Sequence, residues 1–272
     1  MHILRAIMLG DVVGDPGLDA LDRQLPLLIK ENSVDFVVVN GENAASGFGL
    51  TLPHLERIFA AGADVVTSGN HVWEKRDFLP VLDSQPRILR PLNYPPGNAG
   101  KGFVTLEKPS SSGVPVTWAA VNIQGREFMS PIDCPFRAFD SLVWAENNGE
   151  ENAHNKPIIL VDFHAESTRE KEAFGFYLDG RASVVAGTHT HVQTSDERIL
   201  PGGTAYITDL GMCGNLDSVI GMDTQICLNR ARNQVLYRME VAVPTEDDRV
   251  SLQGILVEFD GGSKKAVSIR RL

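Results

Sequence analysis

The 272-residue chain carries 35 Asp and Glu against 25 Lys and Arg, a net charge of −10. That field repels polyanions, which argues against long DNA or RNA as the main ligand, although bound cations can reverse it inside one cleft and admit a small phosphate ester. The 43% hydrophobic and 22% charged shares exclude disorder and fibrous folds, and the length can bury a core without disulfides or structural metals.

Short apolar runs alternate with segments of helical period, as in an α/β protein. In chain order the strands expected are Ile3–Leu9, Phe36–Val39, Val65–Thr67, Val116–Val121, Ile158–Phe163, Ser183–Ala186 and Ala205–Thr208. Leu18, Leu21, Leu25, Leu28 and Ile29 place one apolar helical face between the first two, and Leu52, Leu55, Ile58 and Phe59 place another after a Thr51 cap. Phe136, Phe139, Leu142 and Val143 give a third helix, and Thr168–Leu178 a fourth, stopped near Gly180. Pro109–Pro115 and Glu146–Lys156 read as surface loops. From Gln234 onward the runs VLYRMEVAV, VSLQGILVEF and KAVSIRRL suggest antiparallel strands that extend a sheet or pair across a homo-oligomer interface. No linker or repeat interrupts the chain, so one domain over 1–272 is expected.

No apolar run approaches ~18 residues, and no leader with a cleavage site precedes the first strand, so no membrane span is expected. The cysteines Cys134, Cys213 and Cys227 lack CxxC spacing, which suits a reducing, cytoplasmic setting.

The informative pattern is positional, because strand after strand ends in Gly or Asp plus a side chain able to hold a metal. The segments are Gly10-Asp11, Gly41-Glu42-Asn43, Gly69-Asn70-His71, Asp162-Phe163-His164 and Gly187-Thr188-His189-Thr190-His191. Singly, each has a bland role: Asp11 as a helix cap, the Asn residues in turns, His164 as a satisfied core histidine. Together they should converge beyond the carboxyl ends of the strands, where open α/β sheets bind ligands. Asp11, Glu42, Asn43, Asn70, His164, His189 and His191 make a set of O and N donors without thiolate, suited to iron or manganese, with zinc an alternative. Seven donors exceed the needs of one ion. Two ions about 3.5–4 Å apart, bridged by Glu42, would use them all and supply a water-derived hydroxide at neutral pH for attack on a phosphate ester. His71 is then placed to give a proton to the departing oxygen. Arg126, Arg181 and Asn93 could meet a phosphate or base, and Trp73 or Tyr94 could stack on a base; structural roles explain each equally well or better.

The motifs GDVVG, NGENAA, GNHVWEK, DFHAE and GTHTHVQT together resemble the calcineurin-like metallophosphoesterases. RPLNYP, LDGR and YITDLGMCG narrow the resemblance to the YmdB-like bacterial phosphodiesterases. That resemblance implies a sandwich of two β-sheets flanked by helices and hydrolysis of 2′,3′-cyclic nucleotides such as 2′,3′-cyclic AMP. It also implies one metal held by Asp11, Glu42, Asn43 and His191, a second held by Glu42, Asn70, His164 and His189, and His71 as proton donor. The superfamily's usual Asp-x-His start is absent here, since Val12 and Val13 follow Asp11, and Asn43 would fill the vacancy. The competing readings are a phosphomonoesterase and a metal-dependent module that senses a nucleotide or RNA end with little turnover.

Overall fold

The computed structural model describes residues 2–142 and 156–272. In chain order the elements are β1 (Ile3–Leu9), β2 (Asp11–Val12), α1 (Gly14–Asn32), β3 (Phe36–Asn40), α2 (Leu52–Ala60), β4 (Val65–Thr67) and α3 (Leu79–Ser84). Then follow β5 (Phe103–Pro109), β6 (Pro115–Gln124), α4 (Pro135–Asp140), β7 (Ile158–His164), α5 (Thr168–Tyr177) and β8 (Val184–Thr188). The chain closes with β9 (Arg198–Ile199), β10 (Ala205–Ile207), β11 (Met212–Asn215), α6 (Thr224–Asn233), β12 (Val250–Ser251), β13 (Gly254–Asp260) and β14 (Ala266–Arg271).

Among the described residues the strands form a five-stranded sheet, β14-β13-β1-β3-β4, a six-stranded sheet, β5-β6-β7-β8-β10-β9, and a small ribbon, β12-β11-β2. Period-two alternation decides which layer each strand residue enters. Leu4, Ala6, Met8, Phe36 and Val38 point between the sheets and meet Trp118, Ala120, Leu160, Val184 and Ala186 from the other side. Ile7, Leu9, Val37 and Val39 point outward onto Leu18, Leu21 and Leu25 of α1 and Leu55 and Ile58 of α2. On the far side Val121, Val161 and Val185 cover Phe139 of α4 and Phe174 of α5. The result is helices outside two stacked sheets. Phe36 and Trp118 stack across the seam with centroids 5.0 Å apart, a pairing that adds about 0.5–1.5 kcal/mol beyond area burial.

Several expectations need correction. The VLYRMEVAV run forms no strand beyond an isolated Met222–Val241 bridge. It follows α6, whose end is set by Gln234 at φ 55°, and folds back on residues 221–223 through Asp223 N–H to Glu240 O and Ala242 N–H to Gly221 O. Its apolar residues stay largely in solvent, Leu236 at 86% and Val243 at 87% exposed. The other two tail runs do extend the first sheet, with β13 pairing to β1 and β14 to β13, so those strands are used within the chain. Thr51 occupies the cap position of α2 but its hydroxyl pairs with His54 Nδ1 at 2.5 Å instead of a backbone amide. The third helix is shorter than its apolar pattern, ending at Asp140; Val143 and most of the Glu146–Lys156 loop, His154 included, lie outside the described residues.

Candidate metal centre

Parallel pairing of β1 with β3, β3 with β4 and β7 with β8 sends the carboxyl ends of strands from both sheets to one rim. Asp162, two residues before His164 and on the same face of β7, ties the rim together. Its carboxylate accepts Asn40 Nδ2 at 2.9 Å and Thr67 Oγ1 at 2.5 Å from the first sheet, and Thr188 Oγ1 at 2.6 Å from β8. Burial pushes Asp162 up to about 6 against these donors.

Above that floor, four of the expected ligands crowd one point. His164 Nε2 lies 3.0 Å from Glu42 Oε1, 2.9 Å from Asn70 Oδ1 and 3.0 Å from His189 Nδ1. A single ring nitrogen carries at most one proton, so three acceptors around it outnumber what it can donate. The other ring nitrogen is committed: Thr188 Oγ1 gives its proton to Asp162 and so accepts from His164 Nδ1–H at 2.9 Å. That orientation leaves Nε2 as the ring atom free to face a metal. Glu42, His164 and His189 offer atoms within 4.8 Å of one another, and a Cβ at Gly69 would collide with the His164 ring and Glu42 Oε2, so only glycine leaves the space between them open.

The other three lie beside this cluster. Asp11 is wholly buried, with Oδ2 accepting His189 N–H at 3.1 Å, while its Oδ1 has no hydrogen-bond partner. His191 Nε2 stands 3.9 Å from that oxygen, and its Nδ1–H donates to Ile220 O at 2.8 Å. Asn43 Nδ2 is 3.1 Å from His191 Nε2, and Asn43 Oδ1 is also buried without a partner. An unpaired carboxylate oxygen and an unpaired amide oxygen are costly to bury, and both face chemistry that divalent ions satisfy. The donors therefore fit a metal centre.

The electrostatics point the same way. Burial disfavours a charged His164, but the Glu42 and Asp11 carboxylates outweigh it and hold the ring at about 9. Burial likewise opposes ionisation of Glu42, yet His164 and His71 keep it at about 2. His189 is pushed down to about 3 by burial and by His164. The pocket demands positive charge, which a proton or a metal can supply.

His71 stands at the rim, its backbone N–H on Glu42 Oε2 at 3.1 Å and its ring Nδ1 3.3 Å from Glu74 Oε1. The edge of its ring packs against Phe48, centroids 5.0 Å apart. Sequence reasoning passed over Glu74, although it sits in the same GNHVWEK motif three residues on. It also passed over Glu166, whose Oε2 is 3.2 Å from His189 Nε2 and whose signal was its place two residues after His164. Of the remaining candidates, Asn93, Arg181, Trp73 and Tyr94 make structural contacts. Asn93 Nδ2 donates to Gln124 O and Asp133 O, Arg181 pairs with Asp140, and Trp73 packs edge-on against Tyr94. The Arg126 backbone N–H is held by Glu170.

The sequence profile of the YmdB-like protein family matches residues 7–272. The chain belongs to the YmdB-like family. A relative with the same span, the 2′,3′-cyclic-nucleotide 2′-phosphodiesterase of Bacillus subtilis (strain 168), is 43% identical over 269 residues, covering 99% of this chain and 96% of its own. Among solved structures, a novel phosphatase from Mycoplasma pneumoniae superposes with a TM-score of 0.86 at 31% identity, covering 100% of this chain and 93% of its own. The calcineurin-like phosphoesterase YfkN of Bacillus subtilis shares the fold, with a TM-score of 0.58 at 12% identity over 99% of this chain and 90% of its own. Both the YmdB-like resemblance and the calcineurin-like sandwich expected from the motifs hold. No helix among the described residues is long and apolar enough to cross a membrane.

Proposed function

We propose that this YmdB-like chain, a phosphoesterase, hydrolyses small phosphodiesters, 2′,3′-cyclic nucleotides such as 2′,3′-cyclic AMP first among them, with two metal ions bound at the rim. The observation that supports the reading is that five strand ends bring seven candidate donors to one rim: Glu42, Asn70, His164 and His189 crowd one point, and beside them Asp11 Oδ1 and Asn43 Oδ1 are buried without a hydrogen-bond partner. Asp11, Glu42, Asn43 and His191 would hold one ion and Glu42, Asn70, His164 and His189 the other, iron or manganese before zinc. When bound, such ions polarise a phosphoryl oxygen and make water a nucleophile near neutral pH.

The protein's own groups do the rest. Glu42 is the residue that would be shared by both ions, since Oε1 lies 3.0 Å from His164 Nε2 and 3.5 Å from Asn43 Nδ2, one from each proposed set, while Oε2 accepts His71 N–H. His71 is the candidate proton donor for the departing oxygen: Glu74 engages its Nδ1, and the remaining ring nitrogen is the one assigned to the substrate. In a cyclic phosphodiester the leaving oxygen stays tethered to the ribose, so prompt protonation keeps the ring from reclosing.

The test is steady-state hydrolysis of 2′,3′-cyclic AMP beside a phosphomonoester, with chelated protein and protein reloaded with manganese or iron. Turnover of the cyclic ester should require metal, and His71→Ala should lower kcat by about 10²–10⁴-fold at unchanged metal content. An undiminished kcat in that variant would remove His71 from the donor role. No turnover despite two bound ions would favour a nucleotide-sensing module instead.

A further inference from the structure

Lys171 lies in TREKE, a stretch that reads as a solvated helix face, yet it is 1% exposed. Its Nζ reaches Asp209 Oδ2 at 2.6 Å, and Asp209 is 1% exposed as well. Burying an ammonium and a carboxylate is costly even when they pair, so packing alone does not explain the arrangement. Neither residue belongs to the set proposed to bind metal or substrate.

What else Asp209 touches supplies the reason. The same Oδ2 accepts Thr190 N–H at 3.2 Å and Thr190 Oγ1–H at 2.8 Å, and Oδ1 accepts Gly211 N–H at 2.8 Å. Thr190 lies between His189 at φ 103° and His191 at φ 63°, both in a region that L side chains rarely adopt. Such a backbone persists only where its surroundings over-determine it. Gly211 O in turn accepts Asp11 N–H at 3.2 Å. One buried carboxylate thus grips the His-Thr-His turn with one oxygen and, through Gly211, the Asp11 loop with the other. Lys171 reaches it by passing beside Gly187, where an added Cβ would crowd Lys171 Cδ at 2.9 Å.

We infer that Lys171 and Asp209 are positioning residues for the metal centre: their buried ion pair holds the His189–His191 turn and the Asp11 loop in mutual register. The inference rests on reading those residues as ligands. Loss of the clamp lets the turn relax toward ordinary backbone angles and spreads the donors, so metal affinity falls although no ligand has changed.

The experiment compares wild type, Lys171→Met, Thr190→Val and Thr190→Ser, each stripped by chelation and titrated with Mn²⁺ in a calorimeter at a temperature where circular dichroism shows it folded. Lys171→Met and Thr190→Val should bind Mn²⁺ about 10- to 100-fold more weakly, while Thr190→Ser, which keeps the hydroxyl, should bind as wild type does. A lowered melting temperature with unchanged Mn²⁺ affinity in both Lys171→Met and Thr190→Val would overturn the inference and leave the pair as a support of the core. Should Lys171→Met fail to fold, Thr190→Val, which leaves the ion pair intact, decides alone. A wild-type protein that takes up no metal would instead overturn the reading of the centre itself.

Discussion

His164 brings the site's logic down to two ring nitrogens. Nδ1 is fixed through Thr188 onto Asp162, and Nε2 is left among three acceptors. Thr188→Val keeps the shape of the side chain but removes that anchor, so the imidazole loses its preferred tautomer and direction. Metal affinity should fall by about 10–100-fold with the native circular dichroism retained, as read by metal titration of the chelated protein; an unchanged affinity would show that the ring is oriented by packing alone. The residues brought together at the rim were legible because each follows a strand in the chain. Their supports were not. Thr188 and Asp162 lie within the strand-end segments but show no signal of partnership, Glu166 and Glu74 sit inside recognised motifs as ordinary surface acids, and Lys171 looks like one charge among several. Which of them turns inward depends on register between strands and helices distant in sequence, and a single sequence does not carry that information.

Among the elements, the strands buried on both faces were the readable ones. β3 and β7 are continuous apolar runs buried along their whole length, as parallel central strands should be. β5 was missed because FVTLEKP lies at a sheet edge with no fully buried position, so its composition mixes polar and apolar residues. α6 was missed for a related reason: it buries none of its residues, and an amphipathic face is the main helix signal. Its start is instead set by Asp223, whose side chain accepts Ile226 N–H at 2.8 Å. The segment that carries α6 is closed at its base by Arg249 and Asp217, 2.6 Å apart. Hydrogen bonds from the Arg249 side chain and backbone hold the Asp217 carboxylate down at about 2. A depressed carboxylate stabilises the fold fully above its unfolded value of about 3.9 and loses that contribution as the pH falls through about 2. The melting temperature of wild type should therefore exceed that of Arg249→Ala at pH 5, with the gap shrinking toward pH 2; a gap that does not change with pH would contradict this role.

For the molecule as a whole, the two sheets explain why one rim can gather so many candidate ligands. The inter-sheet layer is apolar from Leu4 to Trp118 and turns polar only at the carboxyl ends, where Asn40, Thr67, Asp162 and Thr188 bridge the seam. The seam beneath the candidate ligands keeps Glu42, which follows β3 of one sheet, and Asp11, in the ribbon strand that continues from β1, opposed to His164 and His189 at the ends of β7 and β8 of the other. On the proposed reading, the overall charge of −10 would act as a filter, disfavouring long polyanions while the metal-loaded centre admitted a small one. The central claim is that two ions sit in this seam with Glu42 between them. Anomalous diffraction from crystals of protein reloaded with manganese tests it most directly. The account predicts two peaks about 3.5–4 Å apart flanking the Glu42 carboxylate, one beside Asp11 and His191 and the other beside His164 and His189. A single peak, or ions bound away from Glu42, would contradict it.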